Sequence, residues 1–161
     1  MVCKNIEDIE YFIYWLVLSD DGNPSKFRDL EFAKIITESL QTLRRVKLAI
    51  ILRFWVWDPL VGICDVLEEV LGRNKLECIE INLKMRYEYM DYYRWHKLEE
   101  VLIKSGWPEL KCVSIVITFE FQYSEPPTDL PLLIGSLHHA HFPRLRTSKH
   151  LDFKFSVEYI T

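Results

Sequence analysis

Three stretches of the chain superimpose: Leu43-x-x-Val46-x-Leu48-x-Ile50, Leu76-x-x-Ile79-x-Ile81-x-Leu83 and Leu110-x-x-Val113-x-Ile115-x-Ile117, at offsets of 33 and 34 residues. Self-similarity at a period of about 20 to 50 residues marks a repeat fold, in which no unit buries its apolar face without a neighbour. Within each stretch the apolar residues alternate with the period of a strand. Between stretches the period becomes helical. Leu60, Ile63, Leu67, Val70 and Leu71 follow Asp58-Pro59, where Asp58 is placed to cap, Pro59 takes the first helical position and Gly72 closes the helix. Trp95, Leu98, Val101 and Leu102 form the next stripe, stopped by Gly106 and Pro108.

The same rhythm extends outward in both directions. Residues 9–18 read as a first strand, and Leu30, Phe32, Ile35, Ile36 and Leu40 as a first helix. Downstream, Asp129 is placed to cap a helix carrying Leu130, Leu133, Ile134 and Leu137, which ends near Phe142-Pro143. A last strand is expected from Leu145, 35 residues after Leu110, with clean alternation resuming at Leu151, Phe153, Phe155 and Val157. This divides one domain, 1–161, into units near 1–42, 43–75, 76–109, 110–144 and 145–161. Five strands alternating with four helices require parallel strands joined by right-handed crossovers.

A parallel sheet covered on both faces has strands that are apolar throughout. These strands are not. The residues that alternate with the apolar set are Glu80, Asn82, Lys84, Arg86 and Glu88 in one strand, and Ser114, Val116, Thr118, Glu120 and Gln122 in the next. In the last strand they are Asp152, Lys154, Ser156 and Glu158. One face is therefore expected to be wet, with every helix on the other, an α/β arrangement distinct from a doubly wound nucleotide-binding sheet.

Composition narrows the function classes. The 161 residues are 49% hydrophobic, enough for one core and too many for a disordered chain. A net charge of −4 gives no basic footprint for nucleic acid. The most apolar early run, residues 11–18, is too short to span a bilayer and lacks the basic flank of a secretory signal. Cys3, Cys64, Cys78 and Cys112 form no C-x-x-C pair and read as reduced thiols of a cytoplasmic or nuclear protein. Cys78 and Cys112 share a repeat position on strands about 5 Å apart, and are expected as buried thiols without a bridge.

The L-x-x-L-x-L spacing over residues 43–118 resembles the leucine-rich repeat, although Ile51, Lys84 and Thr118 stand where that repeat has asparagine or cysteine. Trp107-Pro108-Glu109-Leu110-Lys111-Cys112-Val113, and Phe142-Pro143-Arg144-Leu145-Arg146 through Leu151-Asp152-Phe153, are similar to the C-terminal part of basidiomycete F-box or leucine-rich-repeat-like proteins. The resemblance implies a short solenoid with a parallel sheet and helices on one face. It also implies a substrate-recognition fragment of an F-box-type ubiquitin-ligase receptor; no F-box-like helical segment precedes the repeats here.

The first full repeat breaks the polar-face pattern, because Ile51, Trp55 and Trp57 take the parity that the other strands keep polar. With Phe12, Tyr14, Leu16 and Leu18 they make an apolar patch larger than monomers usually expose. Another segment of this chain, a missing N-terminal domain packed on the first strands, or a protein partner must cover it. Arg53, Lys84 and Arg86 share that face, and Tyr92 and Tyr93 lie in a neighbouring loop of binding-surface composition. These eight residues, Ile51, Arg53, Trp55, Trp57, Lys84, Arg86, Tyr92 and Tyr93, form the candidate site of a non-enzymatic protein-binding module. The same-parity aromatics Phe54, Tyr87, Tyr89, Phe119, Phe121 and Tyr123 read as core.

His138, His139, His141 and His150 have poor metal-ligand spacing, and Glu68-Glu69 and Glu99-Glu100 read as solvated helix faces. No phosphate loop or nucleophile elbow is present, so no catalytic residue, metal or cofactor is expected. Two rival readings stand beside the binding module. One is a small α/β ligand-binding protein or hydrolase-like enzyme with its site at the strand C-terminal ends. The other is a truncated product without independent function.

Overall fold

The computed structural model describes residues 7–14, 30–51, 59–86, 95–121 and 128–160. Strands β1 (Asp8–Tyr14), β2 (Arg45–Ile51), β3 (Cys78–Met85), β4 (Cys112–Glu120) and β5 (Asp152–Ile160) alternate with helices α1 (Leu30–Glu38), α2 (Pro59–Glu69), α3 (Trp95–Ile103) and α4 (Leu130–Ala140). A short fifth helix, α5 (Pro143–Thr147), precedes β5. The strands form one sheet in the order β1-β2-β3-β4-β5, and every neighbouring pair is parallel.

The register of the central strands is the repeat offset itself. Val46 pairs with Ile79 and Ile79 with Val113, and the same steps of 33 and 34 residues align Leu48 with Ile81 and Ile115. Outside this core the step lengthens: Ile9 pairs with Val46, 37 residues on, and Val113 with Phe153, 40 residues on. A backbone ladder locks the strand entrances. Arg44 and Arg45 N–H donate to Glu7 O, Glu77 and Cys78 N–H to Arg44 O, and Lys111 and Cys112 N–H to Glu77 O.

Alternation decides which face is buried. Val46, Leu48, Ile50, Ile79, Ile81, Leu83, Val113, Ile115 and Ile117 are all buried, each worth roughly 1.5 to 3 kcal/mol by transfer from water. They form one cluster with Ile36 of α1, Leu60, Ile63 and Leu67 of α2, and Leu98, Val101 and Leu102 of α3, and no strand residue of the opposite parity joins it. Met85, Phe119 and Phe121 extend the core, as their parity predicts. Tyr87, Tyr89, Tyr123 and Phe54 lie outside the described residues.

Two glycines sit where only glycine fits. Gly72 follows α2 at φ 72°, the left-handed conformation that ends helices, and its N–H donates to Gly106 O at 2.7 Å. A Cβ on Gly106 would stand 2.6 Å from Leu71 Cβ, so the turns of successive units touch there. Asn74 completes the joint from its buried position: its amide donates to Val70 O at 2.8 Å, and its side-chain oxygen accepts from Leu76 N–H at 3.1 Å.

The last unit departs from the expectation. Leu145 does not begin the strand; it is fully buried within α5, and β5 begins at Asp152. Phe142 turns the chain with φ 59°, Pro143 starts α5, and Phe142 packs against Phe153 and Phe155 at ring-centroid distances of 5.6 and 5.3 Å. Burial of this aromatic overrides the repeat offset. Asp129 takes the N-cap position of α4, but its side chain makes no capping hydrogen bond.

Candidate functional site

The face opposite the helices is a grid set by strand register. Its first row is Asp8, Arg45, Cys78, Cys112 and Asp152, and its second Glu10, Lys47, Glu80, Ser114 and Lys154. The third is Phe12, Ala49, Asn82, Val116 and Ser156, and the fourth carries Ile51, Lys84, Thr118 and Glu158 after Tyr14. Charged rows thus flank an apolar and small-residue stripe, and Phe12 is 53% exposed on it.

The charges are mostly met across strands. Lys47 Nζ lies 2.7 Å from Glu10, and this hydrogen bond and its Coulomb attraction raise the Lys47 pKa above the ordinary lysine value. Arg45 faces Asp8 at 3.8 Å, and Lys84 pairs with Glu120 at 3.2 Å. At the strand entrances, Glu77 lies 2.7 Å from Lys111 and 3.7 Å from Arg44. The Lys111 hydrogen bond, the Lys111 charge and the Arg44 charge all lower the Glu77 pKa.

Of the sequence-predicted site residues, Ile51, Lys84 and Arg86 are described, and all three are half-buried. Ile51 and Lys84 are direct partners on the outer face. Arg53, Trp55, Trp57, Tyr92 and Tyr93 lie outside the described residues. Among the histidines, His141 packs its ring 5.8 Å from Trp95, and His150 is exposed. Among the described residues, no three His, Cys, Asp or Glu side chains group as metal ligands, and no helix is long and apolar enough to cross a membrane.

Two sequence readings are corrected. Cys78 and Cys112 are joined in a disulfide, not held as separate thiols, because register places their Cα atoms 4.7 Å apart on one face. Their shared repeat position was the signal for this contact; Cys112 is half-buried and Cys78 9% exposed. In the flanking strands, Arg45 and Asp152 take that position.

Glu99 is not a solvated helix residue. It is 7% exposed and accepts hydrogen bonds from Arg144 N–H at 2.7 Å and Leu145 N–H at 3.1 Å, capping α5 from α3. Its spacing held the signal, since Trp95, Glu99 and Leu102 recur at i, i+4 and i+7 on one helix face.

Comparison of the chain with protein-family models, with curated proteins and with solved structures gives no match, so the fold and the face described above are the ground for any functional reading.

Proposed function

We propose that this chain is a non-enzymatic protein-binding module, a short leucine-rich-repeat-like solenoid that receives its partner on the outer sheet face. One observation carries the reading: a five-stranded parallel sheet sends residues of a single parity into its core cluster, although parallel sheets ordinarily need cover on both faces. The outer face offers Phe12 and Ile51 as apolar anchors within rows of paired charge, the core-and-rim composition of protein interfaces. Trp55, Trp57 and Arg53 extend this surface by sequence parity, and Lys84 and Arg86 orient the partner. Tyr92 and Tyr93 are assigned to the same surface from the sequence alone.

The finer form of the proposal is substrate recognition for an F-box-type ubiquitin ligase, which rests on the sequence resemblance. A cytoplasmic or nuclear location goes with it, and it requires the Cys78–Cys112 bridge to open there, because those compartments keep thiols reduced.

Capture of partners from a lysate of the native host, compared between wild type and the outer-face variants Phe12→Glu and Trp57→Ala, tests the reading. Both variants are expected to lose the captured protein while keeping the wild-type melting temperature. Retention of the same protein by both sinks the binding-face assignment, and a collapsed melting temperature for Trp57→Ala places that residue in the core.

A further inference from the structure

The first row of the outer face carries charge at Asp8, Arg45 and Asp152, and sulfur at its centre. Beneath the bridge the backbone is held by other means. Eight register pairs join β3 to β4. Cys78 N–H donates to Arg44 O at 3.1 Å and Cys112 N–H to Glu77 O at 3.0 Å. The next residues, Ile79 and Val113, are fully buried on the opposite face. Opening the S–S bond removes none of these contacts. The bonded pair's Cα separation of 4.7 Å is the ordinary spacing of neighbouring strands, so the bridge spans a distance that strand pairing sets without it.

Access also distinguishes the cysteines. Cys112 is half-buried on the outer face and Cys78 is 9% exposed beside it, whereas Cys64 is completely buried in α2, so exchange enters the bridge at Cys112. Thiol–disulfide exchange requires an attacking thiolate to reach a sulfur, so the bridge is reachable from solvent and Cys64 is not.

We propose that Cys78 and Cys112 are a reversible thiol–disulfide couple, a redox modification site worked by low-molecular-weight thiols and disulfides while the sheet stays folded. In the closing direction, one cysteine thiolate attacks a small disulfide, forms a mixed disulfide and expels one small thiolate. The second cysteine thiolate then attacks its partner's sulfur, forms the Sγ–Sγ bond and expels the other small thiolate. The two cysteine protons end on the two released thiols, and the two electrons lost by the pair reduce the small disulfide. The second step is intramolecular between sulfurs already on paired positions, which makes the mixed disulfide short-lived. Reduction runs the same steps backward.

The test equilibrates the whole chain in glutathione buffers of graded reduced-to-oxidised ratio, quenches with acid, alkylates without denaturant and reads each cysteine by peptide mass spectrometry. Far-UV circular dichroism is recorded on every sample. Cys78 and Cys112 are expected to gain label together in one ratio-dependent transition, reached from either direction, with an unchanged dichroism spectrum and no label on Cys64. The Cys78→Ser variant is expected to stall as a glutathione adduct on Cys112, and the Cys78→Ser/Cys112→Ser double variant to keep the wild-type spectrum. A bridge that resists every ratio until denaturant is added overturns the proposal. So does a pair that never closes, or loss of the spectrum on reduction or in the double variant.

Discussion

Across β2, β3 and β4 the spatial register equals the sequence offset, and the core beneath is aliphatic and almost fully buried. At β5 the step stretches to 40 residues, the inward-facing Phe153, Phe155 and Val157 are only half-buried, and α5 is held by a carboxylate reaching across from α3. The central units have a neighbour on each side and rely on repetition. In the described sheet β5 pairs on one side only, and aromatic packing and a polar latch hold it and α5 in place.

Mutations separate these two modes of stabilisation, and the largest effect is expected at the centre. Ile81→Ala, at a fully buried site, should cost about 2 to 5 kcal/mol and lower the melting temperature of the whole domain. A loss confined to protection around residue 81 in hydrogen exchange would contradict a single cooperative core.

Glu99→Ala should cost about 1 to 3 kcal/mol by leaving the Arg144 and Leu145 amides without an acceptor. Its signature should be regional: amide exchange accelerating over residues 143–160 while β2 and β3 stay protected. Glu99→Gln, which keeps an acceptor oxygen, should restore much of that protection. Equal acceleration in β2 would erase the distinction between centre and end.

Arg146→Ala removes a guanidinium 5.6 Å from the Phe155 ring centroid, an exposed cation–π contact worth about 0.5 to 1 kcal/mol. The expected result is a small fall in urea midpoint at constant slope.

The smallest effect belongs to the strand entrances. Glu77 is held below its ordinary pKa of 4.5, chiefly by the Lys111 hydrogen bond, so its contribution is present above that value and fades as pH falls through the folded-state pKa. Glu77→Gln should therefore flatten the acid limb of a stability-versus-pH curve and leave neutral stability little changed. An unaltered acid limb would show that this ladder of charges is inert.

Much of the architecture was legible in the chain. Strand parity, the helical stripes of α2 and α3, and the positions of Pro59 and Gly72 follow from local periodicity and backbone chemistry. The parallel direction of the five strands followed as well, because strands that alternate with helices return through crossovers. Leu145 was misplaced because a repeat offset carries no information about Phe142, whose burial against β5 sets the turn. Glu99 was misread because a carboxylate on a buried helix face makes sense only once the amides that meet it are located 45 and 46 residues away. On the candidate face, Ile51 and Lys84 stand where parity placed them.

The sequence by itself determined the period, the element types and which residue of each strand faces the core, since these depend on neighbours within a few positions along the chain. Only the tertiary structure decided that the two cysteines at equivalent positions are bonded, that Glu99 latches the last unit, and that Lys47, Lys84 and Glu77 find partners on or just before adjacent strands. Those outcomes turn on distances of a few ångströms between residues more than 30 positions apart. Register and packing set such distances, and local propensity does not.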